Sequence, residues 1–598
     1  MDEQQAGETP GGFAAADMEA YARSFQQIAE KSQKLVADFL ARQPEAADSL
    51  LNTAGLGEAF LALSQKMLAN PAKLAEAQWA LWQDYVNLWQ AAAKRMAGSD
   101  DAAPAIQPDR GDKRFKDPAW NENQTFDFLK QSYLLTSRWI QNTVHGVEGL
   151  DEKTRQKVDF FTRQFVDAMS PSNFMATNPE VLRATYETRG ENLVKGLDHL
   201  LADLERGRVT MVEPDAFVVG KDVAVTPGKV VYQNPILQLL QYSPATPTVH
   251  ARPLLIVPPC INKFYILDLR PRNSMVKWLT EQGFTVFLVS WVNADPSLAE
   301  TTFDDYMTKG VIGAIDATLK ASGAQDLNLL GYCVGGTLSA AALSWMKARN
   351  DARVHSVSFL TALMDFSDAG EITVFIDGQQ LQLLDEHMRE KGVFDGRIMA
   401  QAFNALRAND LVWSFVVNNY LLGKEPFPFD ILFWNSDSTN LPAAMYSFYL
   451  HKMYHENQLC RPGALKLGGI DIDLGTIDLP MYVLATKEDH ISPWRSCYRT
   501  TQLMRGPSRF VLVQSGHVAG VVNPPGVGKY GHWTNDTLPA DPEAWFKGAT
   551  QHPGSWWENW AAWLRPHSGE QVPARVPGGA LTGTLPDTPG SYVTKAQP

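Results

Sequence analysis

The chain has 598 residues, 45% of them apolar and 20% charged, enough to bury a large core and to hold two or more domains. Its 66 acidic against 53 basic residues give a net charge of -13, which argues against a nucleic-acid binder. The acidic, polar start lacks the regions of a signal peptide, no apolar run is long enough to span a bilayer, and the four cysteines are scattered without C-x-x-C spacing, so a cytoplasmic protein with reduced thiols and no metal site is expected.

Residues 1–16 read as disordered, and 17–209 as a helical domain, with helical patterns over 17–42, 127–147, 152–169 and 178–206. Leu74, Leu81, Trp82, Tyr85, Leu88, Trp89 and Met96 recur at helical spacing. Such a stripe suits an ordinary packing face, a lipid- or polymer-binding face, or a partner surface. A polar stretch over 98–112 reads as a linker. After residue 210 the period changes. Short β-rich runs over 253–257, 284–291, 327–332, 356–360, 481–485 and 510–513 alternate with helical stretches, which predicts a parallel sheet covered on both faces.

At 327–345 an apolar strand runs into Gly331-x-Cys333-x-Gly335 and straight on into a helix. This is the nucleophile-elbow pattern of the α/β-hydrolase fold, with cysteine where serine is usual. The turn lifts Cys333 to its tip and sets the Val334 N–H beside it as an oxyanion donor, and the helix N-terminus favours thiolate. A nucleophilic thiolate suggests covalent acyl transfer. A second donor is expected after the strand at 253–257, where the N–H of Ile261 or Cys260 is the candidate because Pro258 and Pro259 have none. Cys260 also raises a two-thiol mechanism, although nothing in the sequence activates it.

The fold's order of nucleophile, acid and histidine points onward. Asp489, after the strand at 481–485, is a better acid than Glu488, and His517 follows the strand at 510–513. His490, beside the acid, either lines the acyl-thioester pocket or packs there. About 120 residues separate the strands at 356–360 and 481–485, far more than a bare connection needs. The excess, about 365–478, is rich in Trp, Tyr and Phe and reads as a cap that excludes water from an acyl-enzyme. The catalytic domain thus spans 210–598 and ends in an extended Pro/Gly-rich tail from about 566.

Several motifs carry a closer resemblance: Gly331-Tyr-Cys333-Val-Gly-Gly336-Thr, Val257-Pro-Pro-Cys-Ile-Asn-Lys-Phe-Tyr-Ile-Leu-Asp268, Arg407-Ala-Asn-Asp-Leu-Val-Trp413, Phe433-Trp-Asn-Ser-Asp-Ser-Thr-Asn440, Ser515-Gly-His517-Val-Ala-Gly and His552-Pro-Gly-Ser-Trp-Trp557. From about residue 105 onward the chain resembles the class I polyhydroxyalkanoate synthases. The resemblance implies polymerisation of (R)-3-hydroxyacyl-CoA into polyester with release of CoA, with no cofactor beyond the thioester substrate. Cys333 would carry the growing chain, His517 would activate the thiol, and Asp489 would assist the attacking 3-hydroxyl. Arg407 and His490 become candidates for CoA contact. The family also implies a homodimer on a polyester granule in the cytoplasm, with the helical domain serving dimer stability, granule attachment and helper proteins. Two rivals share these residues: a cysteine-dependent thioesterase or polyester hydrolase of the same fold, and a non-catalytic granule-surface protein.

Overall fold

The structure is a computed structural model that describes residues 20, 22–24, 26–31, 56–96, 103–109, 111–579 and 585–595. The stretch read as disordered, 1–16, lies outside the described residues. The chain divides into two compact units: Met1–Met211 with Arg407–Phe427, and Val212–Leu406 with Pro428–Pro598.

The first unit is helical. Its main elements are α1 (Leu56–Ala69), α2 (Pro71–Met96), α3 (Gln124–His145), α4 (Glu152–Ala168), α5 (Pro179–Glu187) and α6 (Glu191–Arg206). The starts of α3, α4 and α5 are fixed by side-chain caps. Asn123, Asp151 and Asn178 each accept from first-turn amides, which satisfies donors that helical geometry leaves orphaned. The stripe on α2 splits. Leu88 is buried and Tyr85 half-buried, whereas Trp82 and Trp89 are more than half exposed, as is Trp79, which lies outside the stripe.

Segment Arg407–Phe427 belongs to this unit, although sequence reading assigned it to the cap. It lies on α6. Asn192 Nδ2 donates to Leu421 O at 2.8 Å, Asn419 Nδ2 donates to Thr210 O at 2.8 Å, and Tyr420 OH donates to Asp203 Oδ2 at 2.7 Å. The approach requires glycine at 196, where a Cβ would stand 1.8 Å from Tyr420 O.

The second unit is built on a ten-stranded sheet. Its strands are β1 (Gly228–Gln233), β2 (Leu237–Tyr242), β3 (Leu254–Val257), β4 (Val286–Trp291), β5 (Leu327–Tyr332), β6 (Val354–Leu360), β7 (Met481–Thr486), β8 (Ser508–Val513), β9 (His532–Thr534) and β10 (Thr550–His552). Their spatial order is β1-β2-β4-β3-β5-β6-β7-β8-β9-β10. The six central strands run parallel, and two antiparallel strands extend each edge. Strands β2 to β5 and β7 are buried along their whole length, as a sheet covered on both faces requires.

The Pro/Gly-rich tail is fastened rather than loose. Gln571–Pro573 pairs with Thr248–His250. The β1 amide of Val230 donates to Pro586 O at 2.9 Å, and Gln238 Oε1 accepts from the amides of Ser591 and Tyr592. The tail therefore covers the outer edge of the sheet, where unpaired amides would otherwise invite another strand.

Candidate active site

The elbow lies between β5 and α7 (Val334–Ala348). Cys333 has φ 52° and ψ -125°, a strained conformation for a residue with a side chain. Its amide donates to Leu360 O at 2.9 Å, and its carbonyl accepts from Gly336 N at 2.8 Å, so the strain is held from both sides. The flanking glycines answer to contact rather than to backbone angle. A Cβ on Gly331 would stand 2.5 Å from Gly336 Cα, and one on Gly335 would stand 2.1 Å from Val257 O. The helix thus starts directly against the end of β3, and Val334 N–H is among the first-turn amides that helical geometry leaves unpaired.

Asp489 follows β7, and its side chain is wholly buried. All four of its acceptor positions are used. Oδ1 accepts from Ile491 N at 2.9 Å and Ser492 N at 2.8 Å; Oδ2 accepts from Thr486 Oγ1 at 2.9 Å and faces His517 Nδ1 at 2.8 Å. Burial pushes this carboxyl up, but the His517 charge and these hydrogen bonds outweigh it and hold it below the usual range. Glu488 is exposed.

His517 follows β8 and is buried. With Nδ1 facing Asp489, the other ring nitrogen is left for the Cys333 thiol, whose charge acts on the ring. Burial disfavours the charged ring. The Asp489 and Cys333 charges outweigh that and raise its proton affinity well above the usual 6.5. The Tyr332 ring stacks on the imidazole at 5.7 Å, and its hydroxyl donates to His517 O at 3.3 Å.

The loop bearing His517 is tied down from below by α9 (Trp556–Leu564), preceded by Ser555. (Helix α8, Trp494–Leu503, follows Asp489 in the chain.) Trp556 Nε1 donates to Gly520 O at 3.0 Å, Trp557 Nε1 donates to Val521 O at 2.9 Å, and Ser555 Oγ donates to Asn523 O at 2.5 Å. Both indoles are essentially fully buried. Sequence reading matched this Ser-Trp-Trp motif without assigning it a task; a Trp N–H needs a partner when buried, which is the signal that could have found it.

Cys260 is buried on the loop after β3. Burial pushes its thiol up to about 12, with a further push from the nearby Cys333 charge. A thiol so displaced stays protonated at neutral pH and supplies no second thiolate. Ile261 lies on the same loop, half-buried. His490 is half-buried beside Asp489. Arg407 lies in the helical unit, where it pairs with Asp410 at 2.5 Å. Among the described residues no group of His, Cys, Asp and Glu could hold a metal, and no helix is long and apolar enough to cross a membrane.

A strained cysteine elbow, a buried acid and a histidine, each leaving a parallel strand at the same edge, define an α/β-hydrolase-fold enzyme. The alpha/beta hydrolase fold profile accordingly matches residues 253–524. The profile of the poly-beta-hydroxybutyrate polymerase (PhaC) N-terminus matches residues 111–279. The chain is 45% identical to a poly(3-hydroxyalkanoate) polymerase of Methylorubrum extorquens, over 97% of this chain and 98% of that one. It is 46% identical to a poly(3-hydroxyalkanoate) polymerase subunit PhaC of Cupriavidus necator, over 88% of each chain. The chain belongs to the poly(3-hydroxyalkanoate) polymerase family, and is an acyltransferase-type enzyme.

Proposed function

We propose that the protein polymerises (R)-3-hydroxyacyl-CoA into polyester, holding the chain as a thioester on Cys333 and releasing CoA. The observation that carries this is the juxtaposition of the strained Cys333 elbow with His517, which is paired with the buried Asp489 and feels the Cys333 charge. In the first half-reaction the Cys333 sulfur attacks the thioester carbonyl while His517 holds the thiol proton as an imidazolium beside Asp489. The oxyanion is held by the N–H groups of Val334 and Ile261, each such donor contributing about 3 kcal/mol. Collapse expels the CoA thiolate, which recovers the proton from His517. One thioester replaces another, so the exchange is near balance and needs no cofactor.

In the second half-reaction a 3-hydroxyl attacks the Cys333 acyl group, its proton passes to His517, and the Cys333 thiolate leaves. The resemblance gave Asp489 a direct part in this step. Its four acceptor positions are already taken, which favours action through His517, by stabilising the imidazolium. Arg407 and His490 are proposed to contact CoA. Association with polyester granules in the cytoplasm, a homodimer and helper proteins bound by the helical unit complete the proposal; the exposed Trp79, Trp82 and Trp89 support a surface role for that unit.

The test is incubation with (R)-3-hydroxybutyryl-CoA. CoA release accompanied by polymer is the expected result. Release with only free hydroxy acid makes the protein a hydrolase, and no release makes it a non-catalytic granule protein.

A further inference from the structure

The loop after β3 is bound along its length by the cap segment 430–440. Trp434 Nε1 donates to Lys263 O at 2.6 Å, Lys263 Nζ pairs with Asp437 at 2.7 Å, and Tyr265 OH donates to Asp437 Oδ2 at 2.8 Å. Asn262 and Ser438 form an antiparallel bridge. Thr439, buried at 3% exposure, sits at the centre. Its amide donates to Ile261 O at 3.1 Å, and its hydroxyl lies 2.6 Å from Cys260 O and 2.7 Å from Ile261 O. Asn440 ends the segment, its amide donating to Asn293 Oδ1 at 2.9 Å and its side chain accepting from Gly396 N at 3.0 Å.

The peptide joining Cys260 to Ile261 is planar and trans, so the Cys260 carbonyl and the Ile261 N–H point in opposite directions in one plane. Whatever fixes the carbonyl fixes the N–H on the far side. No other side chain with a hydrogen bond to this carbonyl is seen among the described residues. At its other end the loop begins against the elbow, where Gly335 leaves room for Val257 O and Pro258 O. The loop is thus clamped between the elbow and the cap segment, with Thr439 on the peptide that matters.

We propose that Thr439 is a positioning residue that aims the Ile261 N–H at the developing oxyanion, making this donor depend on the docked cap segment. The proposal rests on acyl transfer at Cys333 with Ile261 as an oxyanion donor. It ties the cap to the chemistry as well as to water exclusion: the oxyanion site is complete only while segment 430–440 lies on the loop.

The test compares full-length Thr439→Val, which keeps the shape and removes the hydroxyl, with Thr439→Ser, which keeps the hydroxyl. Two rates are measured: CoA release from (R)-3-hydroxybutyryl-CoA, and alkylation of Cys333 by iodoacetamide read by peptide mass. Alkylation needs the thiolate but develops no oxyanion. Thr439→Val is expected to lower kcat by about 10- to 100-fold, with KM changed by less than about 2-fold and alkylation unchanged. Thr439→Ser should stay within about 3-fold of the parent. An unchanged kcat in Thr439→Val overturns the proposal, and so does a parallel fall in alkylation, which marks a general loss of structure. Persisting CoA release in Cys333→Ala would instead overturn the underlying reading of the site.

Discussion

The two units are held together by different physics. In the catalytic unit one apolar cluster runs from Val212 to Val593 and takes in residues of all six parallel strands and of β1 and β2, and each fully buried side chain contributes about 1.5–3 kcal/mol. In the helical unit the described clusters are small: Ala59, Leu63, Val144 and Val158 in one, and Leu88, Ile106 and Leu135 in another. Buried polar pins supplement them. Gln131 Oε1 accepts from Ala105 N at 2.7 Å, Lys130 Nζ donates to Trp120 O at 2.9 Å, and Asp203 accepts from Thr210 N at 2.8 Å. A close-packed core punishes added atoms, whereas a pinned bundle punishes a lost partner. The same contrast separates chemistry from scaffold. The strand-end site can lose its reaction while keeping its fold.

Cys333→Ala tests that last statement and carries the largest effect. CoA release should fall by at least about 10⁴-fold while Tm stays within a few degrees. Residual turnover near the parent rate would remove Cys333 as the acyl carrier. A large fall in Tm would break the separation of chemistry from fold.

Gly335→Ala and Asp203→Ala sharpen the contrast in opposite ways. The first adds a Cβ 2.1 Å from the Val257 carbonyl, which belongs to backbone and cannot yield cheaply. It should cost about 3 kcal/mol or more, read as a denaturant midpoint, and abolish turnover. The second adds nothing and strands the donors of Thr210 and Tyr420, at a cost of about 1–3 kcal/mol. Asp203→Ala should leave alkylation of Cys333 at the parent rate. If Gly335→Ala is tolerated, the elbow is not close-packed as described.

A smaller effect follows from His517. Its raised proton affinity means that the folded protein keeps a proton that the unfolded chain releases near pH 6.5. The stability it contributes is full below pH 6.5, declines above it, and is lost once pH passes the folded-state value. Against His517→Gln, which lacks this titration, the parent's Tm advantage should be largest at slightly acid pH and shrink toward alkaline pH. Asp489 has the opposite sign: its depressed value makes its contribution complete above the usual 3.8 and lost only as pH falls below it. A Tm gap that widens from pH 7 to pH 9 would contradict the pairing of His517 with Asp489.

How much of this was legible beforehand depended on the range of the interaction. The parallel strands announced themselves as short apolar runs; the run at 327–332 coincides with β5, and the others differ by a few residues at their ends. The elbow, Asp489 and His517 could be placed because each leaves such a strand, and strand ends share one edge. The antiparallel strands β1, β2, β9 and β10 went unread, since glutamines, histidines and glycine interrupt their patterns. The departure of 407–427 from the cap could not be read at all. It is carried by Asn192, Asp203 and the missing Cβ of Gly196, none of which has a periodic signal. Thr439 and the Trp556–Trp557 pair were visible as motif letters, but their tasks are hydrogen bonds to backbone carbonyls far along the chain.

The smallest expected effect lies on α2. Trp79, Trp82 and Trp89 are more than half exposed, and Trp79 stacks on Trp82 with ring centroids 5.0 Å apart. Exposed side chains outside a packed core change stability by about 0.5 kcal/mol or less each. Replacing all three by Gln should therefore leave Tm within a few degrees and the rate of Cys333 alkylation unchanged. A protein that no longer folds would show that these rings are core. If instead the variant folds, keeps its thiol reactivity and loses sedimentation with polyester granules, the three rings act at a surface. That outcome would also explain why tryptophan, the side chain with the most apolar area to offer, stands outside while Leu88 fills the inside of the same helix.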